Sequence, residues 1–442
     1  MPTATVPSTA PLRTGPPSTL VVPPLGRPAV TDAPEDLSPN TTAPESISLG
    51  SLVDNTPDTR DRFVDFLRAL SIAVVILWHW VFSITQWSTD NDSLIMPNPI
   101  GGVPGLWAAT WLLQIMPVFF LVGGYANLAG LDGMTAANAD IRPTWRAFVA
   151  KRLHRLGKPV GLYVGLWVIG EIVAHALVPG YRGVTTWGMV VFVPLWFLGV
   201  YVSVVLLAPF TARLHHRAPW HTLGGLVAGI ALADAARFGL GIERAGLLTS
   251  ALVWVFVHQL GYFWRDGSLV RCGRRALVAV AGGGMLALVL LTTFGPYPRS
   301  MVSVTGEGSN MFPTTACIAA LAVFQLGVAM LVRPAATRWL QRRRVWSFTV
   351  AVNAVAMTVF CWHMTALVAA IAVYEWVGFT LGTEADAAWW AQRPLWLVLP
   401  GVFLAALVAL FARFELPTPS SRARRSRPNL RSPAESAAEV TG

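Results

Sequence analysis

The chain is predicted to be an all-α, polytopic integral membrane bundle of about ten transmembrane helices, and three observations predict it. Hydrophobic residues make up 54% of the sequence against 13% charged, a balance that a soluble domain with a single core does not show. Apolar runs of the twenty or so residues needed to cross a bilayer recur from residue 63 to residue 412. The basic residues fall in alternate connections: with ten spans, 26 Lys and Arg lie on one side, five lie on the other, and Arg13 and Arg27 precede the first span. The richer side is expected to be cytoplasmic, so both termini are expected there, in a multi-pass protein of the cell (plasma) membrane. One missing or spurious span would erase that bias.

Taken in order, residues 1–59 are rich in Pro, Thr and Ser and read as a disordered cytoplasmic tail. Their one apolar run, Leu20-Val21-Val22, is broken by Pro23 and Pro24, which argues against a signal peptide. Residues 60–416 form one ten-helix membrane domain. Its spans are predicted at 63–87, 105–131, 156–178, 187–210, 220–239, 246–264, 276–294, 313–332, 347–376 and 394–412. Helices are expected throughout, because a helix satisfies its own backbone in lipid and no stretch alternates like a membrane barrel. No internal repeat of the kind common in transporters stands out. Residues 417–442, rich in Arg and Ser, read as a second disordered cytoplasmic tail.

The net charge of +10 does not point to nucleic acid, since the basic residues sit in short clusters between apolar spans; the partner they imply is the lipid bilayer. Only two of the 33 basic residues are lysine, a usage that accompanies GC-rich bacterial genomes. Three cysteines, Cys272, Cys317 and Cys361, give neither a disulfide framework nor a paired-cysteine metal site, so no metal is expected.

Four constellations carry possible chemistry. In the first span, Asp65, Arg68 and His79 share one helical stripe with Ile72 and Val75. From Arg68 to His79 the helix rises about 16 Å, which puts the arginine at the membrane edge and the imidazole near mid-bilayer. An imidazole at that depth is costly unless it faces protein or water. The plainer reading of Asp65 and Arg68 is an ordinary juxtamembrane pair. In the ninth span, Phe360-Cys361-Trp362-His363-Met364 places His363 about 24 Å from residue 347, at a depth like that of His79. Both imidazoles are therefore expected to line one cavity, within roughly 12 Å of each other. Before the third span, Arg152 and Arg155 are three apart on a helix entrance, as phosphate recognition by paired guanidiniums requires, although they also serve as topology anchors. In the second span, Gly123-Gly124-Tyr125 follows a Phe-rich run, with helix packing as the plain reading of its glycines. Glu171, the most expensive remaining group to bury, is a further catalytic candidate.

With these residues in view, the chain resembles the acyltransferase type 3 family of membrane-bound acyltransferases. The resemblance rests on Asp65, Leu67, Arg68, Ala69 and His79, with ten residues between the arginine and the histidine. It is supported by FFLVGGY at 119–125, by Arg152 and Arg155, by LWFL at 195–198 and by TVFCWHM at 358–364, and it covers Asp61 to Phe414. The chain departs from the family at Gly123, where serine is usual, and at Met364 and Thr365, where an aromatic residue and proline are common.

The resemblance implies transfer of an acyl group, often acetyl, from cytoplasmic acyl-coenzyme A to a hydroxyl acceptor, commonly a carbohydrate. Acyl-coenzyme A is then a co-substrate and no bound cofactor is implied. His79, His363 and Glu171 become the catalytic candidates. Asp65, Arg68, Arg152, Arg155, Gly124 and Tyr125 become the donor- and substrate-binding candidates. The chemistry suits the residues: arginines match the phosphates of the donor, and a neutral imidazole has a pKa near working pH, as a general base needs. The alternative is a multi-helix transporter in which His79, Glu171 and His363 relay protons.

Overall fold

Lipid offers the backbone no hydrogen-bond partner, and the apolar runs answer by coiling into helices that close their own bonds. The computed structural model describes residues 49–416, apart from 55, 58–59, 89, 91–92, 138–140, 184–185 and 305–307. In chain order the helices are α1 (Leu49–Asp54), α2 (Arg62–Val81), α3 (Trp107–Leu113), α4 (Met116–Ala137), α5 (Ile141–Leu177), α6 (Leu195–Arg217), α7 (Pro219–Leu240) and α8 (Ala245–Arg265). They continue with α9 (Ser268–Arg271), α10 (Arg274–Phe294), α11 (Ala316–Trp339), α12 (Arg343–Ala354), α13 (Ala356–Trp376), α14 (Ala387–Ala391) and α15 (Leu395–Phe411). Among the described residues ten spans are long and apolar enough to cross a membrane, and the protein is a multi-pass, all-α membrane protein.

Burial sorts these spans into a centre and a periphery. Two-thirds of the span residues are buried in α3–α4, in α8 and in α13, against 6% in α5 and 11% in α15. α4 packs on α8, α10 on α11 and α13 on α15, and α2 touches α4, α12 and α13. The α4–α8 contact is close because Gly124 lies against the backbone of His258 and Gly261, with no room for a Cβ. Small residues at a helix crossing supply van der Waals contact where lipid removes the hydrophobic drive for association.

Several boundaries differ from the sequence expectation. The first span ends at Val81, not at residue 87: Ser83 Oγ donates to Trp78 O at 3.5 Å, competing for a helix carbonyl, and Gln86–Trp87 becomes strand β1, paired antiparallel with β2 (Leu94–Ile95). The second is interrupted at Gln114, just before Pro117, a residue that can begin a helix but not continue one. The carbonyl freed at Gln114 accepts from Gln325 Nε2 at 2.8 Å. The third is far longer than expected, and the basic run from Lys151 to Pro159 lies within helix α5.

The ninth run is two helices, not one, divided at Val355 (φ −118°, ψ 18°). On one side of the break Asn353 Nδ2 donates to Asp65 O at 2.8 Å. On the other, Glu415 caps the start of α13, accepting from Met357 N at 3.0 Å, Thr358 N at 2.8 Å and Thr358 Oγ1 at 2.7 Å. A helix start leaves N–H groups without partners, and this carboxylate supplies them from the far end of the sequence.

Within the stretch expected to be a disordered tail, Leu49–Asp54 is helical, Val53 is buried and Asp54 pairs with Arg343 at 3.1 Å. The expectations for 1–48 and 417–442 fall outside the described residues.

Candidate active site

α2 and α13 bring two imidazoles together. His79 Nδ1 lies 2.9 Å from His363 Nε2, with ring centroids 5.2 Å apart and nearly parallel planes. The third partner fixes the direction of this hydrogen bond. His363 Nδ1 is 2.7 Å from the carbonyl of Phe360, which can only accept, so Nδ1 carries the proton. In a neutral His363 the other nitrogen, Nε2, then accepts, and His79 Nδ1 donates to it. His79 Nε2 is left with a bare lone pair. It has no hydrogen-bond partner among the described residues. Trp80 Nε1 donates to His363 O at 3.1 Å and braces the second ring's backbone.

His79 lines a cavity whose other walls include Val75, Trp78, Thr110, Gln114, Trp196 and Met311. His363 is fully buried and does not line it. The expectation that both histidines face one cavity is corrected accordingly: the rings are much closer than 12 Å, but only His79 can touch a substrate, and His363 stands behind it. Buried His258 shows the plainer fate of an intramembrane imidazole, since its Nε2 is satisfied by Asn127 at 3.0 Å and it lines no such cavity.

A second cavity lies toward the basic end of α2. Arg68, Arg152, Arg155, Tyr201, Asn353 and Glu415 line it, and it shares Phe197 and Phe360 with the His79 cavity. Three cations thus line one cavity and an imidazole the other, with Phe197 and Phe360 forming a wall of both. Arg152 is oriented by donating to Ala126 O at 2.8 Å, with its guanidinium 5.4 Å above the Phe148 ring. Arg68 Nη1 is 3.7 Å from Asp65 Oδ1. Asp65 is buried, accepts also from Arg60 Nε, and lies behind Arg68 outside the cavity lining.

Three other candidates are not brought to either cavity. Glu171 lies near the end of α5, accepts from Tyr181 Oη at 3.0 Å and sits 3.9 Å from His175 Nδ1, so it ties down the chain beyond the helix. Gly124 is the α4–α8 contact point, where its missing side chain admits a neighbouring backbone. The Tyr125 ring packs 5.4 Å from Trp264 and beneath the Arg265 guanidinium.

Conversely, Glu415 and Asn353 line the arginine cavity and Gln114 the His79 cavity without having been singled out as candidates. A faint signal existed for Glu415: it is a lone acid just beyond a span otherwise flanked by arginines. Among the described residues no group of three or more metal-ligating side chains converges.

No curated protein and no solved structure matches the chain. A family described as an acyltransferase domain matches residues 61–414. That stretch contains all ten spans, the whole His79 cavity and all the described lining of the arginine cavity but Glu415, and the family's chemistry, transfer of an acyl group other than aminoacyl, agrees with a bare imidazole nitrogen in a mostly apolar chamber. The chain therefore belongs to the acyltransferase type 3 family, and it is a membrane acyltransferase.

Proposed function

We propose that the protein transfers an acyl group, acetyl in the first instance, from acyl-coenzyme A to a hydroxyl of a sugar-containing acceptor. In this reading the arginine cavity opens to the cytoplasm, both termini lie there, and the membrane is the plasma membrane. Arg68, Arg152 and Arg155 hold the donor's phosphates, for which the planar guanidinium fork is suited. The thioester passes Phe197 and Phe360 to reach His79. The acceptor oxygen then attacks the thioester carbon while its proton moves to His79 Nε2. Collapse of the tetrahedral species breaks the carbon–sulfur bond, and the departing thiolate takes that proton from His79. His363 acts through His79: accepting from Nδ1, it holds the ring in the tautomer with a free Nε2 and steadies the imidazolium that forms.

The observation that supports this reading is that the two cavities adjoin at Phe197 and Phe360, which line both, with the cations in one and the unpartnered Nε2 in the other. Purified full-length protein incubated with labelled acetyl-coenzyme A and a panel of glycans tests it. Label should pass to a glycan with wild type and not with His79→Ala. Label transfer that persists in His79→Ala, or a wild type that ignores acetyl-coenzyme A, overturns it.

A further inference from the structure

The tetrahedral species of any acyl transfer places negative charge on the former carbonyl oxygen, and an apolar chamber must supply a hydrogen-bond donor there. Among the described residues no arginine or lysine lines the His79 cavity. The Thr110 hydroxyl is fully engaged, donating to Trp107 O at 2.6 Å and accepting from Met301 N at 3.0 Å. Gln114 differs. It stands at the break between α3 and α4, and its Oε1 accepts from Met116 N at 3.4 Å. That bond settles which end of the carboxamide is nitrogen. Among the described residues Nε2 meets only the Met311 thioether, at 3.4 Å, and sulfur is a weak acceptor. The amide is thus a buried donor whose partner is easily displaced. Trp78 and Trp196 also line the cavity, but among the described residues no hydrogen bond fixes either indole N–H.

We propose that Gln114 is the oxyanion donor of this site. The inference rests on the acyl-transfer reading above and adds a catalytic residue to it. As the acceptor oxygen bonds to the thioester carbon and its proton passes to His79 Nε2, the carbonyl π pair moves onto oxygen, and Gln114 Nε2–H turns from the thioether to that oxyanion. When the carbonyl re-forms, the carbon–sulfur bond breaks, the thiolate takes the proton from His79 and Gln114 returns to Met311. The break in the second span has a use in this scheme, because a continuous helix would keep the Gln114 region in regular helical geometry.

The test uses full-length protein in lipid nanodiscs, reading thiol release from acetyl-coenzyme A with glucose, N-acetylglucosamine and chitobiose as acceptors. Gln114→Glu keeps the acceptor toward Met116 N and removes the donor; it should lower kcat by about 10²-fold or more, as loss of one oxyanion donor does. Its affinity for S-ethyl-coenzyme A, a thioether that forms no oxyanion, should stay near wild type. A Gln114→Glu kcat near wild type overturns the inference. So does a parallel loss of S-ethyl-coenzyme A affinity, which marks a structural role. A wild type that releases no thiol overturns the donor reading, and this inference with it.

Discussion

His79 and His363, 284 residues apart, share a hydrogen bond of 2.9 Å whose direction is set by a third atom, the Phe360 carbonyl. Two histidines joined in this way are not two equivalent bases. One presents a lone pair to the cavity and the other, fully buried, orients it.

The two substitutions should therefore differ. His79→Ala should abolish transfer while leaving membrane insertion near wild type. His363→Ala should lower kcat by about 10²- to 10⁴-fold, the range attributed to a positioned proton acceptor, with donor affinity unchanged. Single-turnover transfer together with donor binding separates these outcomes. Equal and complete loss in both variants, with donor binding also lost, would indicate collapse of the α2–α13 contact instead.

The pH dependence follows from the same geometry. Only the neutral form of His79 offers a free Nε2, so kcat should fall as pH drops through the titration of the pair and level off above it. Because the two rings are hydrogen-bonded, the midpoint belongs to the pair and not to either ring. A rate–pH profile between pH 5 and 9 checks this, and a rate that rises on acidification would contradict a general base.

Arg68, Arg152 and Arg155 line one cavity and should act together on the donor. Replacing each with Gln should weaken binding of acyl-coenzyme A, and Lys should restore it only in part because it lacks the bidentate fork. Calorimetric titration with a non-hydrolysable donor analogue measures this. Unchanged affinity in all three Gln variants would return them to the role of topology anchors.

How much of this arrangement the sequence discloses depends on the range over which each feature is determined. The ten spans are legible because length, apolarity and loop charge are local properties, and the Arg68-to-His79 stripe follows from helical period alone. The break at Val355 is not legible. No Pro or Gly marks it, and it is held by Asp65 O and the Glu415 carboxylate, partners remote in sequence. The buried position of His363 is equally hidden, since depth along a helix does not fix which way a side chain points. Glu171 was singled out by the cost of burying a carboxylate, but it lies near a helix end with Tyr181 for a partner, where that cost is small.

Gly124 shows how a glycine within a family motif can be a packing device. A Cβ there would meet the His258 carbonyl, a backbone atom that cannot swing aside. Gly124→Ala should destabilise the fold by about 1–3 kcal/mol, the usual cost of overpacking a filled contact, and Gly124→Val by more. Thermal unfolding in detergent reads the loss. A donor affinity that falls without any change in unfolding temperature would instead restore Gly124 to the binding site.

Glu415 joins the chain's last span to its chemistry. Its carboxylate accepts from two backbone N–H groups and one hydroxyl at the start of α13, and the same residue lines the arginine cavity. His363 lies two turns farther along α13, so the cap helps to set the register at which the second imidazole meets His79. Glu415→Ala should cost about 0.5–2 kcal/mol as a lost helix cap. If that were its whole effect, activity per folded molecule would be unchanged. A shift of α13 should lower kcat as well, because positioning errors of an ångström are costly in proton transfer. Glu415→Gln retains acceptor capacity and should recover much of the stability. It also removes a negative charge facing Arg68, Arg152 and Arg155, so donor affinity should rise where kcat falls. Paired measurements of unfolding temperature, donor affinity and kcat on the two variants distinguish these contributions. A Glu415→Gln variant with wild-type kcat and wild-type donor affinity would confine the residue to capping.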